Sequence, residues 1–244
     1  MGDTALSFAD VGKSFAGVAA LADVSLDVRC GEFFGLVGEN GAGKTTLIKC
    51  MLDFCAVDSG GIRIFGVPHT DTTARSRLAF LPERFNPPFY LTGRDFLRYM
   101  LKLHRTLYDE ARVARMFEGL DLDPAALTRP ARTFSKGMTQ KLGLAACLLS
   151  RKELYILDEP TSGLDPRARA SLKHELRGLR HSQRTVFFTS HALADVAEIC
   201  DRMAILHDGG VRFVGTPREL ILKFGAGDLE QAFLACTSDR AVAE

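Results

Sequence analysis

Apolar residues in the first part of the chain follow two patterns. In residues 6–8 and 24–28 the apolar residues alternate with polar ones, which is typical of strands with one buried face. Residues 33–37 (FFGLV) form a short continuous apolar run, as expected for a strand buried on both faces. The patterns therefore predict a β-rich N-terminal region that leads into a buried strand.

Strands and helices then alternate. A glycine-rich turn follows residue 37, and residues 44–53 have a helical pattern. Residues 154–157 and 185–188 are short apolar runs typical of buried strands, and residues 166–181 between them read as a helix with proline in its first turn. Strand–helix–strand order predicts a parallel sheet and an α/β fold.

The middle of the chain has a helical period. In residues 92–119 and 135–149 the apolar residues recur at helical spacing, and no strand candidate interrupts them. We therefore expect a helical insertion in an α/β core. The predicted organisation is a single domain, residues 1–235, with a core (1–86 and 151–224), a helical subdomain (87–150) and a short C-terminal helical tail (225–235), followed by a flexible tail (236–244).

Composition excludes several classes of protein. Of the 244 residues 46% are hydrophobic and 25% charged, and Lys and Arg (31) nearly balance Asp and Glu (30). A large nucleic-acid-binding surface is normally strongly basic, so we expect no nucleic-acid partner. The longest apolar runs, such as residues 142–149, reach about eight residues, whereas a membrane span needs about 20. The N-terminus also lacks the basic and then apolar stretch of a signal peptide.

The six cysteines contain no CxxC pair, and most have apolar neighbours. Neither a zinc site nor a disulfide framework is indicated. Buried free thiols in a reducing cytoplasm are the expected state.

A glycine-rich segment between the strand at 33–37 and the helix at 44 carries the first chemical signal. It matches GxxxxGK[ST], in which glycines let backbone N–H groups point at phosphate oxygens and the helix N-terminus adds positive charge. Lys44 reaches the β- and γ-phosphates, and the Thr45 hydroxyl binds Mg²⁺. The predicted nucleotide-binding residues are Gly38, Glu39, Asn40, Gly41, Ala42, Gly43, Lys44, Thr45 and Thr46.

Two carboxylates follow the predicted strand at 154–157. Asp158 is placed to hold Mg²⁺ through its water shell, and Glu159 to polarise the attacking water as general base. On their own, such residues also serve as ion pairs at strand ends. Beside a phosphate-binding loop they predict nucleotide hydrolysis.

With these motifs in order, the chain resembles the nucleotide-binding subunits of ABC (ATP-binding cassette) transporters. Residues 134–140 (FSKGMTQ) stand at the family's signature motif, 160–165 (PTSGLD) at its D-loop, and 187–191 at the strand that ends in the switch histidine, His191. Phe15 stands where the family places an aromatic that stacks on adenine. The resemblance covers nearly the whole chain and implies a P-loop NTPase ABC cassette that uses ATP and Mg²⁺.

The family's mechanism supplies roles for the remaining residues. Two copies meet head to tail, with each ATP between one copy's phosphate loop and the other's signature motif. Ser135 and the backbone of Gly137 are then expected to donate hydrogen bonds to the γ-phosphate across the interface, and Asp165 to help pair the protomers. His191 contacts the same phosphate within its own copy. Lys44, Glu159 and His191 form the implied catalytic set.

Two departures from the family pattern leave alternatives open. The signature reads FSKGM rather than LSGGQ, so Lys136 replaces a glycine and Met138 replaces the glutamine. Both belong to the set of residues that the resemblance places across the dimer. Lys136 either adds positive charge near the triphosphate or faces solvent. Glu83 replaces a glutamine and either meets Mg²⁺ through an oxygen or is only a loop carboxylate.

The resemblance also implies a partner. A separate membrane permease would insert a coupling helix beside Glu83 and the helical subdomain, which places this chain on the cytoplasmic face of the inner (plasma) membrane. Residues 85–90 (FNPPFY) either contact that permease or pack on their own domain. The variants above, with residues 228–234, look like the branch that serves type-2 permeases, so we expect an exporter.

Two alternatives come from other classes. Soluble ABC ATPases of ribosomes or DNA usually carry two cassettes, a coiled coil or zinc modules, none of which this sequence shows. A cassette that only binds ATP is disfavoured because Lys44, Asp158, Glu159 and His191 are all present.

Overall fold

A computed structural model describes residues 3–238 of the chain. They form two compact units, one made of residues 3–75 and 185–238 and the other of residues 76–184.

Strands and helices account for most of both units. The strands are β1 (Thr4–Phe15), β2 (Val18–Arg29), β3 (Phe33–Val37), β4 (Ser59–Ile64), β5 (Val67–Pro68), β6 (Leu78–Leu81), β7 (Leu154–Asp158), β8 (Thr185–Ser190), β9 (Arg202–His207) and β10 (Gly210–Gly215). The helices are α1 (Lys44–Met51), α2 (Gly93–Leu103), α3 (Glu110–Gly119), α4 (Lys136–Leu149), α5 (Pro166–Arg180), α6 (Leu193–Ile199), α7 (Pro217–Phe224) and α8 (Leu229–Thr237).

The first unit contains an antiparallel sheet in the order β2-β1-β4-β5. The apolar alternation of β2 is visible in its burial, since Val24, Leu26 and Val28 are buried and the residues between them are exposed. The prediction of a β-rich N-terminal region is confirmed.

A second sheet in this unit places β3 between two parallel neighbours, β8 and β9, with β10 antiparallel to β9. Every residue of β3 and β8 is buried, as their continuous apolar runs predict. The rings of Phe34 and Phe187 stack with centroids 6.0 Å apart. Because parallel strands run in register, residues that follow β3 and β8 leave the sheet at the same edge.

The second unit is built on a parallel pair, β6 and β7, and on α4. Strand β7 is buried along its whole length, and α4 buries residues on nearly every side, including Leu142, Leu144 and Ala145. A helical segment that is apolar all round lies in a core, so the part of α4 from Leu142 onward belongs to the core of this unit.

The helical pattern over residues 92–119 is two helices rather than one. Helix α2 ends at Leu103, and Arg105 adopts a left-handed conformation with φ 56°, which a continuing helix does not allow. The carboxylate of Asp109 then accepts the N–H of Arg112 and starts α3. The sequence predicted a helical period over these residues, and the capping residue Asp109 marks where the second helix begins.

The compact unit of residues 76–184 is wider than the helical segment predicted at 87–150. It includes β6, β7 and α5, because α4 packs on β6 and α3 packs on α5.

The C-terminal tail consists of two helices. Gly225, with φ 58°, ends α7, and Asp228 caps α8. Helix α8 continues to Thr237, past the predicted boundary at residue 235, and Cys236 is buried. Within the predicted flexible tail, residues 239–244 lie outside the described residues.

The sequence reading missed several strands, and two of them had a local signal. Asp208 and Gly209 have φ 47° and 75° and join β9 to β10. An Asp-Gly pair between apolar runs is a strong indicator of a hairpin turn.

No helix within residues 3–238 combines the length and hydropathy of a membrane span.

Candidate nucleotide site

The phosphate loop, residues 38–46, runs from the end of β3 into the first turn of α1. Gly43 precedes α1 with φ 108°, and a Cβ at this position would lie 2.6 Å from the carbonyl oxygen of Ala20. Only glycine satisfies both the torsion angle and the space. The turn places the first N–H groups of α1 at the end of the loop, where backbone donors and the helix dipole favour an anion.

Lys44 is held inside this loop. Its side chain is 8% exposed, and Nζ donates hydrogen bonds to the carbonyl oxygens of Gly38 (2.6 Å) and Glu39 (3.1 Å). The ammonium group is therefore positioned by the loop itself. Of the other predicted loop residues, Gly38 and Ala42 are buried, Gly43 and Thr46 are half-buried, and Glu39, Asn40, Gly41 and Thr45 are exposed.

The strand register brings His191 to the same edge. Val37 of β3 pairs with Ser190 of the parallel strand β8, so the next residues, Gly38 and His191, leave the sheet side by side. His191 is exposed. The structure thus brings together the start of the phosphate loop and the predicted switch histidine.

Phe15 lies at the end of β1, and its ring is 49% exposed. Lys13 Nζ is 5.4 Å from the ring centroid and forms an ion pair with Asp58 at 2.7 Å. The hydrogen bond that Lys13 donates to the Asp58 carboxylate raises the pKa of Lys13. The sequence reading missed Lys13, although residues two apart on a strand share a face.

The acidic pair of the second unit ends β7. Asp158 is 3% and Glu159 7% exposed, and Glu159 has a left-handed backbone with φ 48°. This conformation costs a non-glycine residue roughly 1–2 kcal/mol. The Glu159 carbonyl accepts the N–H of Ser162 at 3.0 Å, which holds the tight turn after the strand. Strained backbone of this kind is concentrated at functional positions.

Glu83 follows the neighbouring strand. Leu81 of β6 pairs with Leu157 of β7 in parallel register, so Glu83 and the acidic pair follow the same edge of the two strands. Glu83 is exposed. In the adjoining segment, the ring of Phe85 packs against Phe96 with centroids 5.5 Å apart.

The start of α4 lies next to the loop before α5. Ser135 Oγ caps α4 by accepting the N–H of Met138 at 3.2 Å, and the Asp165 carboxylate caps α5 by accepting the N–H of Ala168 at 2.8 Å. The side chain of Lys136 lies over Gly163. The structure therefore brings the predicted signature residues close to the loop that contains Asp165.

Comparison with known families agrees with this arrangement. The sequence profile described as "ABC transporter" matches residues 21–162, more than half of the chain. This chain belongs to the ABC transporter family. The prediction drawn from the resemblance is confirmed at the level of the family.

Curated ABC proteins resemble the chain over most of its length. An ABC transporter ATP-binding protein of Synechocystis sp. is 39% identical over 210 residues, which are 84% of this chain and 58% of that protein. The Nod factor export ATP-binding protein I of Bradyrhizobium diazoefficiens is 34% identical over 245 residues, 95% of this chain and 79% of that protein. The chain thus spans well under two thirds of the length of the first of these relatives.

Solved structures confirm the ABC cassette fold. The structure titled as the ATP-binding subunit of an ABC transporter has a TM-score of 0.84 and 30% identity, with 96% of this chain and 100% of that chain covered. A dimeric ATP-binding cassette in a post-hydrolysis state, bound to ADP and Pi, has a TM-score of 0.79 at 21% identity, with coverage of 86% and 98%. The second likeness concerns the fold alone. The predicted α/β P-loop ABC fold is confirmed.

Proposed function

We propose that this ABC chain binds and hydrolyses ATP, that it does so as a head-to-tail dimer of two copies, and that hydrolysis powers a separate membrane permease. The observation that carries the proposal is the register of β3 with β8, which sets His191 beside the phosphate loop. Family membership supports the same assignment.

Binding of the nucleotide rests on the first unit. Backbone N–H groups of the phosphate loop and the ammonium of Lys44 neutralise the phosphates. The exposed ring of Phe15 offers a face to the base, and Lys13 keeps the end of β1 in place through Asp58. His191, at the same edge as Gly38, donates a hydrogen bond toward the γ-phosphate.

Hydrolysis is assigned to Glu159. Its carboxylate accepts a proton from a water molecule while the water oxygen attacks the γ-phosphorus, and the bond to the β-phosphate oxygen breaks to leave ADP and phosphate. The fixed turn at φ 48° limits where this carboxylate can point.

The donor set fits Mg²⁺. The Thr45 hydroxyl and the Asp158 carboxylate are the hard oxygen ligands that this ion prefers, and Asp158 is a buried carboxylate that suits a cation. Bound Mg²⁺ would neutralise charge on the β- and γ-phosphates. Glu83, at the edge shared with Asp158, adds a further oxygen to this set.

Dimerisation is assigned to the start of α4. Ser135 and Lys136 are exposed, and the N–H groups of a helix N-terminus suit the γ-phosphate of a second copy. Asp165 lies on the adjoining loop. The dimeric state of a cassette with this fold supports the assignment.

Exposed aromatic side chains near Glu83 support the permease partner. Phe89 and Tyr90 are 67% and 65% exposed, and large exposed apolar side chains in one segment suit a protein contact. A membrane-bound partner would hold the chain at the cytoplasmic face. The relative named for Nod factor export supports the export direction.

Glu159→Gln tests the catalytic assignment. The variant should bind ATP, lose nearly all ATPase activity, and elute as an ATP-dependent dimer on gel filtration. Glu118→Gln, an exposed residue of α3, is the matched control and should behave as wild type. Normal hydrolysis by Glu159→Gln would remove Glu159 from its role. Lys44→Ala should lose nucleotide binding itself when its ATP affinity is measured alongside that of Glu159→Gln.

Capture from membranes tests the partner. Tagged Glu159→Gln protein with ATP and Mg²⁺ should retain one polytopic membrane protein in near-stoichiometric amount from detergent extracts. Recovery of ribosomal or DNA-repair proteins instead would refute the transport role while leaving the ATPase assignment in place.

A further inference from the structure

A concave pocket of about 640 Å³ lies within the unit of residues 76–184. It lies near the end of α4 and the start of β7, whereas the predicted nucleotide-site residues of these two elements are at their opposite ends. Its basic lining residues are Arg77, Arg105, Arg112, Arg151, Lys152 and Arg184. Two carboxylates, Asp109 and Glu153, also line it.

Both carboxylates are already engaged. Glu153 accepts two hydrogen bonds from the guanidinium of Arg77, at 2.8 Å and 2.5 Å. Asp109 accepts the backbone N–H of Arg112 as the cap of α3. Within residues 3–238, Arg105, Arg112, Arg151 and Arg184 form no ion pair with a carboxylate. The pocket therefore has a large excess of positive charge.

The pocket is built by two helix ends. Arg105 follows α2 and Arg151 follows α4, each with φ 56°, a conformation normally taken by glycine or asparagine at this position. The Thr106 hydroxyl donates to the carbonyl of Ser150 at 3.0 Å and ties these two ends together. The backbone positions of both arginines are thus fixed by the fold.

Helix dipoles do not account for the whole cluster. A cation after the C-terminus of α2 or α4 is favourable, but Arg112 lies in the first turn of α3, where the dipole disfavours a cation. The cations also repel one another. The pKa of Lys152 is lowered by burial and by Arg105, and that of His104 by burial and by Lys152. A bound anion would relieve this repulsion.

The chemistry of the walls selects the class of ligand. Guanidinium groups recognise phosphate through paired, charge-assisted hydrogen bonds, and the volume is that of a small-molecule site. Among the lining residues in the described structure, Leu107 alone is aliphatic. A groove for a peptide would offer more apolar contact.

We propose that this pocket binds a compact, multiply charged phosphate anion, either a free phosphate compound or the headgroup of an anionic phospholipid. The site is separate from the phosphate loop and does not depend on the proposed ATPase function.

Inorganic pyrophosphate is the probe for the free anion. Calorimetric titration of the full chain should show saturable binding that Arg112→Gln weakens about tenfold. Arg115→Gln removes the same charge from an exposed position on the same helix, outside this pocket, and should leave the affinity unchanged. Arg184→Gln should repeat the effect of Arg112→Gln from a different element. ADP affinity and the urea midpoint of Arg112→Gln should match those of Arg115→Gln.

Equal effects of Arg112→Gln and Arg115→Gln would overturn the proposal, because they would reduce it to general electrostatics. So would pyrophosphate binding that is lost only in Lys44→Ala, since the anion would then occupy the phosphate loop. Displacement of pyrophosphate by polyglutamate more readily than by tripolyphosphate would assign the pocket to acidic peptides and would also overturn it.

Vesicle flotation distinguishes the two phosphate sources. Binding to phosphatidylcholine vesicles that contain phosphatidylglycerol, reduced by Arg112→Gln and competed by pyrophosphate, supports a lipid headgroup. Pyrophosphate binding without flotation supports a free phosphate compound.

Discussion

The side chain of Lys136 lies across Gly163: a Cβ placed on Gly163 would come within 2.8 Å of Lys136 Cε and 3.2 Å of its Nζ. Lys136 is the first residue of α4, and Gly163 has φ 75° in the loop before α5. The sequence left open whether this lysine faces a triphosphate or solvent. Its carbon chain in fact rests on the neighbouring loop, while the residue as a whole stays exposed.

Gly163→Ala should lower the free energy of unfolding by about 1 kcal/mol from backbone strain alone, with a further cost from contact with Lys136. Urea denaturation measures both. In the double variant with Lys136→Ala the contact is gone, so the cost of Gly163→Ala should shrink but stay above zero. An equal cost in both backgrounds would show that the two residues do not touch.

Ser135 has a structural role and a proposed functional one, and two substitutions separate them. Ser135→Ala removes the acceptor for the Met138 N–H and should cost about 1 kcal/mol of stability. Ser135→Asp keeps a capping acceptor and should retain stability. Its negative charge should nevertheless abolish the ATP-dependent dimer of the Glu159→Gln background on gel filtration. A stable dimer of the Asp variant would place Ser135 away from the γ-phosphate.

Two glycines of the phosphate loop should differ when changed to alanine. Gly41 and Gly43 both have positive φ, 89° and 108°, but only Gly43 has a backbone oxygen, that of Ala20, in the way of a Cβ. Gly41→Ala should cost about 1 kcal/mol. Gly43→Ala should cost more in urea denaturation and should weaken nucleotide affinity more. The reverse order would contradict the loop geometry.

Stability should fall at alkaline pH because of buried thiols. Burial raises the pKa of Cys147 from its ordinary 9.0 to about 12, so the folded state holds the proton more tightly than the unfolded state. The stabilisation is complete below about pH 9 and is lost as the pH rises toward 12. Burial and the neighbouring Cys55 raise the pKa of Cys50 to about 12 as well.

Thermal melts across this pH range check the thiol contribution. Cys147→Ala should lower the melting temperature at neutral pH through the lost packing, but it should flatten the decline above about pH 9. The exposed Cys30 provides the control, since Cys30→Ala should leave the slope unchanged. An unaltered slope in Cys147→Ala would show that this thiol ionises as easily in the folded as in the unfolded state.

Local signals predicted much of the fold. Strand β3 and helix α1 could be located because a continuous apolar run, a glycine turn and a helical period follow one another within twenty residues. The short strand β6 was missed although its four residues form an apolar run like the one in β7, because so short a run does not distinguish a strand from a buried piece of helix. Helical spacing over residues 92–119 did not locate the break between α2 and α3, which is set by the left-handed residue Arg105 and the capping residue Asp109.

The sequence by itself determined the chemistry of the candidate site: a phosphate-loop lysine, an acidic pair after a buried strand, and their place in a known family. These are local patterns, and a backbone turn or helix start is specified by a few adjacent residues. Tertiary structure decided which distant residues meet. Strand register places His191 beside Gly38, and packing places the side chain of Lys136 against Gly163. The packing of two helix ends brings arginines from five segments of the chain into one pocket. Such contacts depend on pairing and packing between residues far apart in the chain, which no local sequence pattern specifies.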